Sequence, residues 1–401
     1  MNKYSTSLQW IETQHKSMID LLIRWSNINS WSDNPDGLDK MCSELKDAFA
    51  PLNAEMRTIA LPNRVTVDSD GEVIEKKQGH VLSLTKHREA PVQVFLGGHM
   101  DTVYPPEHPF QATQRLNENI LRGPGVADMK GGLVILLYSL LALEQSPFAG
   151  KIGWEVLINP DEETGSAGSE PFLLESAKRN HLGLLFEPSH PDGSLVSARK
   201  GSINFTVVAK GKAAHAGRDF YKGHSAIFAL ARFIVNAEGL NDPLREITVN
   251  IGRIEGGEAV NIIPDTAVCY GNIRMKDPED LPMIMEALQI IISSENQEGI
   301  SLKLYENSAR PPKPFDLKQQ TLFDAMRTCG NELDMKLQWK PSGGVCDGNI
   351  LSGAGLPTID TLGVIGDHIH TAEEYLLLNS LTQRTTLTTY FLMKLANQEI
   401  F

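Results

Sequence analysis

Three short apolar runs, "VQVFLGG" at 92–98, "KIGWEVLINP" at 151–160 and "HLGLLFEP" at 181–188, constrain the fold of this chain more than any other feature. Each has the length of a strand and is bounded by turn residues. The apolar stretch "GGLVILLYSLLALEQS" between the first two is long enough for a buried helix. Strands alternating with a buried helix predict an α/β fold built on a doubly wound sheet. In such sheets ligands sit at the carboxyl ends of the strands, where the polar residues of these runs also fall.

From about Ser202 the texture changes. "INFTVVAKG", "EITVNIGRIEGG" and "TAVCYGNIRM" alternate with helical patterns in "AIFALARFIVNAEGL" and "DLPMIMEALQIIISS", which predicts a compact inserted α+β domain. The proline cluster "ARPPKP" at 309–314 reads as the linker back. The expected organisation is residues 1–199 and 313–401 in one domain and 200–312 in the other. A chain of 401 residues exceeds the size at which one core stops growing, so two domains are the natural expectation.

Composition excludes several classes. Fifty acidic against 37 basic side chains, with no basic run, make nucleic acid an unexpected partner. The start, "MNKYSTSLQWIETQHKSMIDLLIRW", lacks a signal-peptide apolar segment, and no stretch reads as long enough for a transmembrane span, so a cytoplasmic chain is expected. Cys42, Cys269, Cys329 and Cys346 are scattered, which argues against a disulfide framework or a thiolate zinc site.

The chemistry lies at the strand ends. In "GGHMDTV" the side chains of His99 and Asp101 share a face of an extended backbone. The pair reads either as a metal-ligating histidine oriented by a carboxylate or as a plain structural hydrogen bond. In "RGPGVADMKGGL", Asp128 is either an N-cap for the following helix or a group brought close to something bound, since the flanking glycines allow close approach. "LINPDEETGSAGSE" runs from an apolar strand into Asp161, Glu162 and Glu163. Their repulsion at a partly buried strand end calls for a cation or protons, unless the stretch is a surface turn. "LLFEPSH" adds Glu187, and "GDHIHTAEEYL" adds His368 and His370. Together these are imidazole and carboxylate ligands without cysteine, the set of a catalytic zinc or similar site.

These five motifs, collinear over about three quarters of the chain, resemble the co-catalytic dizinc exopeptidases, a family that includes glutamate carboxypeptidase, aminoacylase, acetylornithine deacetylase and succinyl-diaminopimelate desuccinylase. The glutamate carboxypeptidases are the most similar subgroup. The resemblance implies a doubly wound mixed-sheet peptidase domain with an inserted α+β lid and dimerisation domain, binding two Zn2+, with Co2+ or Mn2+ as alternatives. It implies His99, Asp128, Glu163, Glu187 and His370 as ligands, with Asp128 bridging, Asp101 behind His99, and Glu162 as general base. Pro188 fits the same pattern. "HTAEEY" matches from His370, whereas His368, followed by Ile369, is expected behind the site or in the core.

In the inserted segment, "GKAAHAGRDFYKG", "GGEAVNIIPD" and "GNIRM" are similar to the family's lid. This implies that His215 reaches into the neighbouring subunit's site to stabilise the oxyanion, and that Asn261 and Arg274 contact substrate, Arg274 gripping a carboxylate. A homodimer through the lid follows. In "SARKGS", Arg199 and Lys200 read either as positive charge near the cleft or as solvated hinge residues, and Cys346 lies in a glycine loop with no nucleophilic role implied.

The expected reaction is hydrolysis of an amide bond in an N-acyl amino acid or small peptide with a free carboxylate. Paired metal ions would lower the pKa of water toward ~7, and Glu162 would move its proton. A biosynthetic desuccinylase or deacetylase and a tripeptide aminopeptidase are the rival readings. A non-enzymatic binding protein is expected to have lost Glu162 or a ligand, and none is lost.

Overall fold

The computed structural model describes residues 3–400. The apolar runs form adjacent strands of a six-stranded sheet, in the order Glu55–Ala60, His80–Lys86, Gly153–Asn159, Gln93–His99, Leu182–Leu185, Thr358–Ile359. Only His80–Lys86 runs against its neighbours, so the sheet is mixed. Gly153–Asn159 is buried along its whole length, which is why its sequence is almost continuously apolar.

Period-two alternation divides these strands between two helical layers. Val94 and Leu96 join Val156, Leu133 and Phe391 on one face, whereas Phe95 and Leu157 join Leu173 and Ile350 on the other. The helix Gly131–Glu144 lies in the first layer. The segment Val126–Glu144 does have the length and apolarity of a membrane span, contrary to the sequence expectation, but 89% of it is buried inside the protein. It is the core helix of the first layer.

The segment from 201 to 310 forms an antiparallel sheet ordered Thr248–Gly256, Thr266–Met275, Gly201–Lys210, Ser301–Arg310. The helices Ala226–Glu238 and Asp280–Glu295 cover one face, and Phe205, Val207, Phe233, Cys269 and Leu288 make a separate hydrophobic core. The chain enters and leaves this unit side by side, with Arg199 and Lys313 exchanging backbone hydrogen bonds of 2.9 and 3.0 Å. A hairpin of the first unit, Arg64–Val67 with Val73–Lys76, reaches across: Val67 packs on Val208 and Val268, and Lys210 Nζ donates to Asp70 O at 2.9 Å.

Close approach of helix to sheet is what sets the polar strand ends together. A Cβ on Gly132 would lie 1.9 Å from the carbonyl oxygen of Phe186. Backbone cannot yield as a flexible side chain does, so Gly132→Ala should destabilise the fold by about 3 kcal/mol. The urea unfolding midpoint measures this, and a midpoint equal to that of the parent would mean the helix can withdraw without loss.

Candidate metal centre

Three strand ends, carrying His99, Glu163 and Glu187, and one C-terminal loop, carrying His370, converge on Asp128. Asp128 sits in a kinked segment before the helix, with φ −115° and ψ 93°, and makes no cap hydrogen bond to that helix. The N-cap alternative is thereby removed. One carboxylate oxygen, Oδ1, lies 3.1 Å from His99 Nε2 and the other, Oδ2, lies 3.3 Å from His370 Nε2. His99 Nε2 is also 3.7 Å from Glu187 Oε2, and His370 Nε2 is 3.2 Å from Glu163 Oε2. One carboxylate thus stands between two imidazoles, each of which faces a second carboxylate.

The groups behind this cluster orient it. His99 Nδ1 lies 3.0 Å from the carbonyl oxygen of Asp101 and 3.3 Å from its Oδ1. The Asp101 carboxylate accepts hydrogen bonds from the backbone N–H groups of Glu162 (3.2 Å) and Glu163 (3.1 Å) and from Ser32 Oγ (2.7 Å). One buried acid therefore holds both the imidazole and the acidic turn. His370 has φ 62°, in the left-handed region, and is half-exposed on its loop.

The three consecutive acids separate. Asp161 turns away and caps the next segment, its Oδ2 accepting from Gly168 N at 2.9 Å and Ser169 N at 3.2 Å. Glu162 and Glu163 face the cavity. Glu162 Oε1 lies 2.9 Å from Arg310 Nη1, and Arg310 Nη2 donates to Glu162 O (2.9 Å), Ser166 Oγ (2.7 Å) and Asp347 Oδ1 (3.3 Å). Glu163 Oε1 is buried without a protein partner.

Sequence reasoning missed three residues here. Glu374 is buried and accepts from the backbone N–H groups of Ala127 (2.9 Å), Asp128 (3.0 Å) and Gly125 (3.1 Å) and from Tyr104 Oη (2.7 Å). It fixes the Asp128 loop, and its signal was the glutamate of "HTAEEY", read only as part of a pattern. Arg310 and Lys313 correct the reading of "ARPPKP" as a plain linker. Both are buried cations, Arg310 on Glu162 and Lys313 on Asp360 at 2.9 Å. Prolines marked the crossing but hid its charges.

Of the remaining residues, Arg199 is neither solvated nor free: Asp360 holds it at 2.8 Å, and it lines the cavity. Lys200 pairs outward with Glu246 at 3.3 Å. Cys346 is buried, its Sγ accepts from Gly348 N at 3.3 Å, and burial pushes its thiol well above the usual range. His368 is exposed, with its ring centroid 5.9 Å from that of Tyr375, which corrects its expected place behind the site or in the core. Arg274 lines the same cavity of about 420 Å3, whereas His215 and Asn261 lie together at an exposed corner of the four-stranded unit, joined through Ala216 N and Asn261 O at 2.9 Å.

Residues 95–394 match peptidase family M20/M25/M40. The chain belongs to this family. It is 27% identical over 308 residues to carboxypeptidase G2 of Pseudomonas sp. (strain RS-16), covering 75% of this chain and 74% of that one. A probable carboxypeptidase of Aspergillus terreus is 34% identical over 224 residues, spanning 52% of this chain and only 50% of that protein's length. The Bacillus subtilis YXEP protein, described as a dinuclear metal-binding peptidase of the M20 family, superposes with a TM-score of 0.64 at 16% identity, over 96% of this chain and 99% of its own. The protein is a hydrolytic metallopeptidase, and the family includes dinuclear metal-binding members.

The residues present fit a divalent ion. Donor atoms of His99, Asp128 and Glu163 lie within 4.8 Å of one another, and the orphaned Oε1 of Glu163 is a buried acceptor that a cation would satisfy. Proton affinities agree. Burial, then Asp128, pushes Glu163 up to about 7, and burial pushes Glu374 up to about 7. Hydrogen bonds to Asp128 and Glu163 raise His370 to about 11. His99 is also raised, the carboxylates of Glu187, Asp101 and Asp128 overcoming its burial.

Groups raised above their unfolded values contribute stability at low pH that is lost as pH climbs through the folded values. For Glu163 and Glu374 the window is roughly pH 4.5 to 7, and for His370 roughly 6.5 to 11. Asp128, held low by His370 and His99 against its burial, acts oppositely but only in strong acid. Chelator-treated protein should therefore melt at falling temperature from pH 5.5 to 8.5, and divalent ions should flatten that slope by displacing protons. A melting temperature that rises over this range without metal would contradict the assignment.

Proposed function

We propose that the protein is a carboxypeptidase-type amidohydrolase that cleaves an N-acyl amino acid or small peptide bearing a free C-terminal carboxylate. The observation that carries this reading is Arg274. Three arginines line the cavity; Arg199 is matched by Asp360 and Arg310 by Glu162 and Asp347. Arg274 donates only to Asn272 Oδ1 (2.9 Å) and Gly343 O (3.4 Å) and has no carboxylate partner among the described residues. Burial and the neighbouring Arg310 make its charge costlier, as a site awaiting an anion would be.

In this reading His99, Glu187 and Asp128 would hold one divalent ion, and Glu163, His370 and Asp128 the other, with zinc the expected metal. Bound there, the pair supplies Lewis acidity toward the amide carbonyl and the attacking water. Glu162 accepts the proton of that water and returns it to the leaving amine, so no net proton is consumed. Arg310 keeps the Glu162 carboxylate aimed into the cavity while Arg274 positions the substrate. Asp101 and Glu374 orient His99 and the Asp128 loop.

His215 and Asn261 act across a homodimer contact in the same reading. Exposed apolar side chains of the four-stranded unit, among them Phe220, Phe228, Val235 and Val260, support an association of that unit with a second copy.

A hydrolysis screen of N-acyl amino acids and dipeptides with metal-loaded protein tests the proposal. Amidating the C-terminal carboxylate, or Arg274→Met, should lower kcat/KM by roughly 10- to 100-fold, the loss of a charge-assisted hydrogen-bond pair. Equal cleavage of free and amidated substrates would sink the carboxylate reading. Separately, Glu162→Gln should lower kcat by ~10² to 10⁴ with metal content intact. Co-expressed with His215→Ala, it should regain activity above either parent; confirmed mixed dimers without that gain would reject the shared site.

A further inference from the structure

The cavity over the metal cluster continues past Glu163. A second cavity of about 410 Å3 shares Glu163 and Asn204 with it. It runs between the helix-free face of the four-stranded sheet and the hairpin strand Arg64–Val67. That volume lies within the usual range of small-molecule sites, about 300 to 1,000 Å3.

A transverse row of polar side chains runs from the first cavity, at Ser308, across the floor of the second. Asn250 is in register with Asn272, Asn272 with Asn204, and Asn204 with Ser308, so four neighbouring strands present amide or hydroxyl groups at one level. Strand faces ordinarily favour β-branched and aromatic residues, and asparagine is depleted there. The row is hydrogen-bonded from Asn272 to Ser308, with Asn272 Nδ2 also donating to Ser202 Oγ at 2.9 Å. Arg274 Nε donates to Asn272 Oδ1 (2.9 Å), Asn272 Nδ2 to Asn204 Oδ1 (2.7 Å), and Asn204 Nδ2 to Ser308 Oγ (3.1 Å). Asn250, at the outer end, is exposed, and its side chain has no partner among the described residues.

Two irregularities open this floor. The pairing of Asn204 with Ser308 but Phe205 with Glu306 leaves Asn307 as an extra residue. The pairing of Ile251 with Gly271 but Arg253 with Tyr270 leaves Gly252 as another. Both line the cavity. Bulges re-aim side chains and recur beside functional sites. Gly252 is not required by its backbone, since its φ is ordinary and a Cβ would meet nothing nearer than Asn250 Nδ2 at 3.5 Å. Its missing side chain leaves space above the asparagine row.

We infer that this second cavity is the subsite for the acyl side of the substrate, and that it selects an extended acyl group carrying amides of its own, such as a peptidyl group, over a short alkanoyl group. The inference rests on the carboxylate reading of Arg274. Arg274 stands opposite Ser202, at the end of the sheet where the chain crosses between the units, and the second cavity opens on the other side of Asn204. A ligand anchored at Arg274 with its scissile carbonyl at the metal cluster therefore has its acyl group directed past Glu163 into the asparagine row. Carboxamides both donate and accept, so they match amide groups of an extended ligand. The rim adds no free charge: Arg64 is paired with Asp33, and Arg253 with Glu255 while stacked 4.9 Å from the Tyr270 ring. The preferred acyl group is consequently neutral as well as polar.

Binding to metal-loaded Glu162→Gln protein, whose turnover should be slowed by ~10² to 10⁴, tests this by calorimetry. The probes are N-acetyl-X and N-acetyl-Gly-Gly-X, with X glutamate, alanine and leucine in turn. In at least one series the longer ligand should bind tenfold or more tightly. Asn250→Leu, which removes the amide at similar size, and Gly252→Val, which fills the space above the row, should each cut that ratio at least threefold. No preference in any series, or equal losses on long and short ligands in both variants, overturns the subsite. Adding Arg274→Met separates the two readings. If it leaves both ligands unaffected while Asn250→Leu still narrows the ratio, the carboxylate reading fails and the subsite stands. If it weakens both while neither row variant changes the ratio, the subsite fails and the carboxylate reading stands.

Discussion

Asp128 can face two imidazoles at once only because its backbone is held from behind. A carboxylate between His99 and His370 has little rotational choice left, and the loop carrying it is not helical. Glu374 supplies what regular secondary structure would have supplied, accepting three consecutive-region N–H groups that otherwise would be buried and unpaired. Around this point Asp101, Glu162, Glu163 and Glu187 share a low-dielectric pocket, where unpaired charge is expensive. The close helix approach at Gly132 and the Asp101 anchor of the acidic turn both serve to keep those groups at contact distance.

Cations mark the opposite wall. Arg310 and Lys313 lie on the returning crossing and Arg199 on the outgoing one, and each is matched to an acid of the first unit. The junction between the two units is therefore an ordered electrostatic seam rather than a solvated linker, and the residue aligned with Glu162 belongs to the last strand of the four-stranded sheet. Arg274, two strands away from it, hydrogen-bonds only to Asn272 and Gly343 and has no carboxylate partner among the described residues.

Much of this was legible in the sequence where the information is local. Apolar runs of strand length gave the central strands, period-two spacing put His99 beside Asp101, and the acidic stretch after "WEVLI" placed Glu162 and Glu163 at a strand end. What was not legible depends on distant pairing. Glu374 meets the Asp128 loop across 246 residues, and Arg310 meets Glu162 across 148, and no periodicity encodes either. By residue type alone Asp161 is equivalent to its neighbours, because three acids in a row carry no mark of which one turns away; only the family resemblance separates them. The asparagine row depends on register among strands far apart in the chain, so in sequence it is four unrelated polar residues. His368 and His370 differ by one period of an extended chain, yet left-handed residues at both positions break that geometry and send one ring to solvent.

The hairpin that leans on the four-stranded sheet has a mechanical meaning. Two chain crossings, lying side by side and hydrogen-bonded at Arg199 and Lys313, define an axis and by themselves leave one rotation free. A third point of attachment off that axis removes this freedom. Val67 against Val208 and Val268, with Lys210 on the hairpin turn, is such a point. Any swing of one unit against the other must shear a small apolar contact, which widens the second cavity that the hairpin walls, or carry the hairpin along, which leaves that cavity's width unchanged and bends the hairpin away from its own unit.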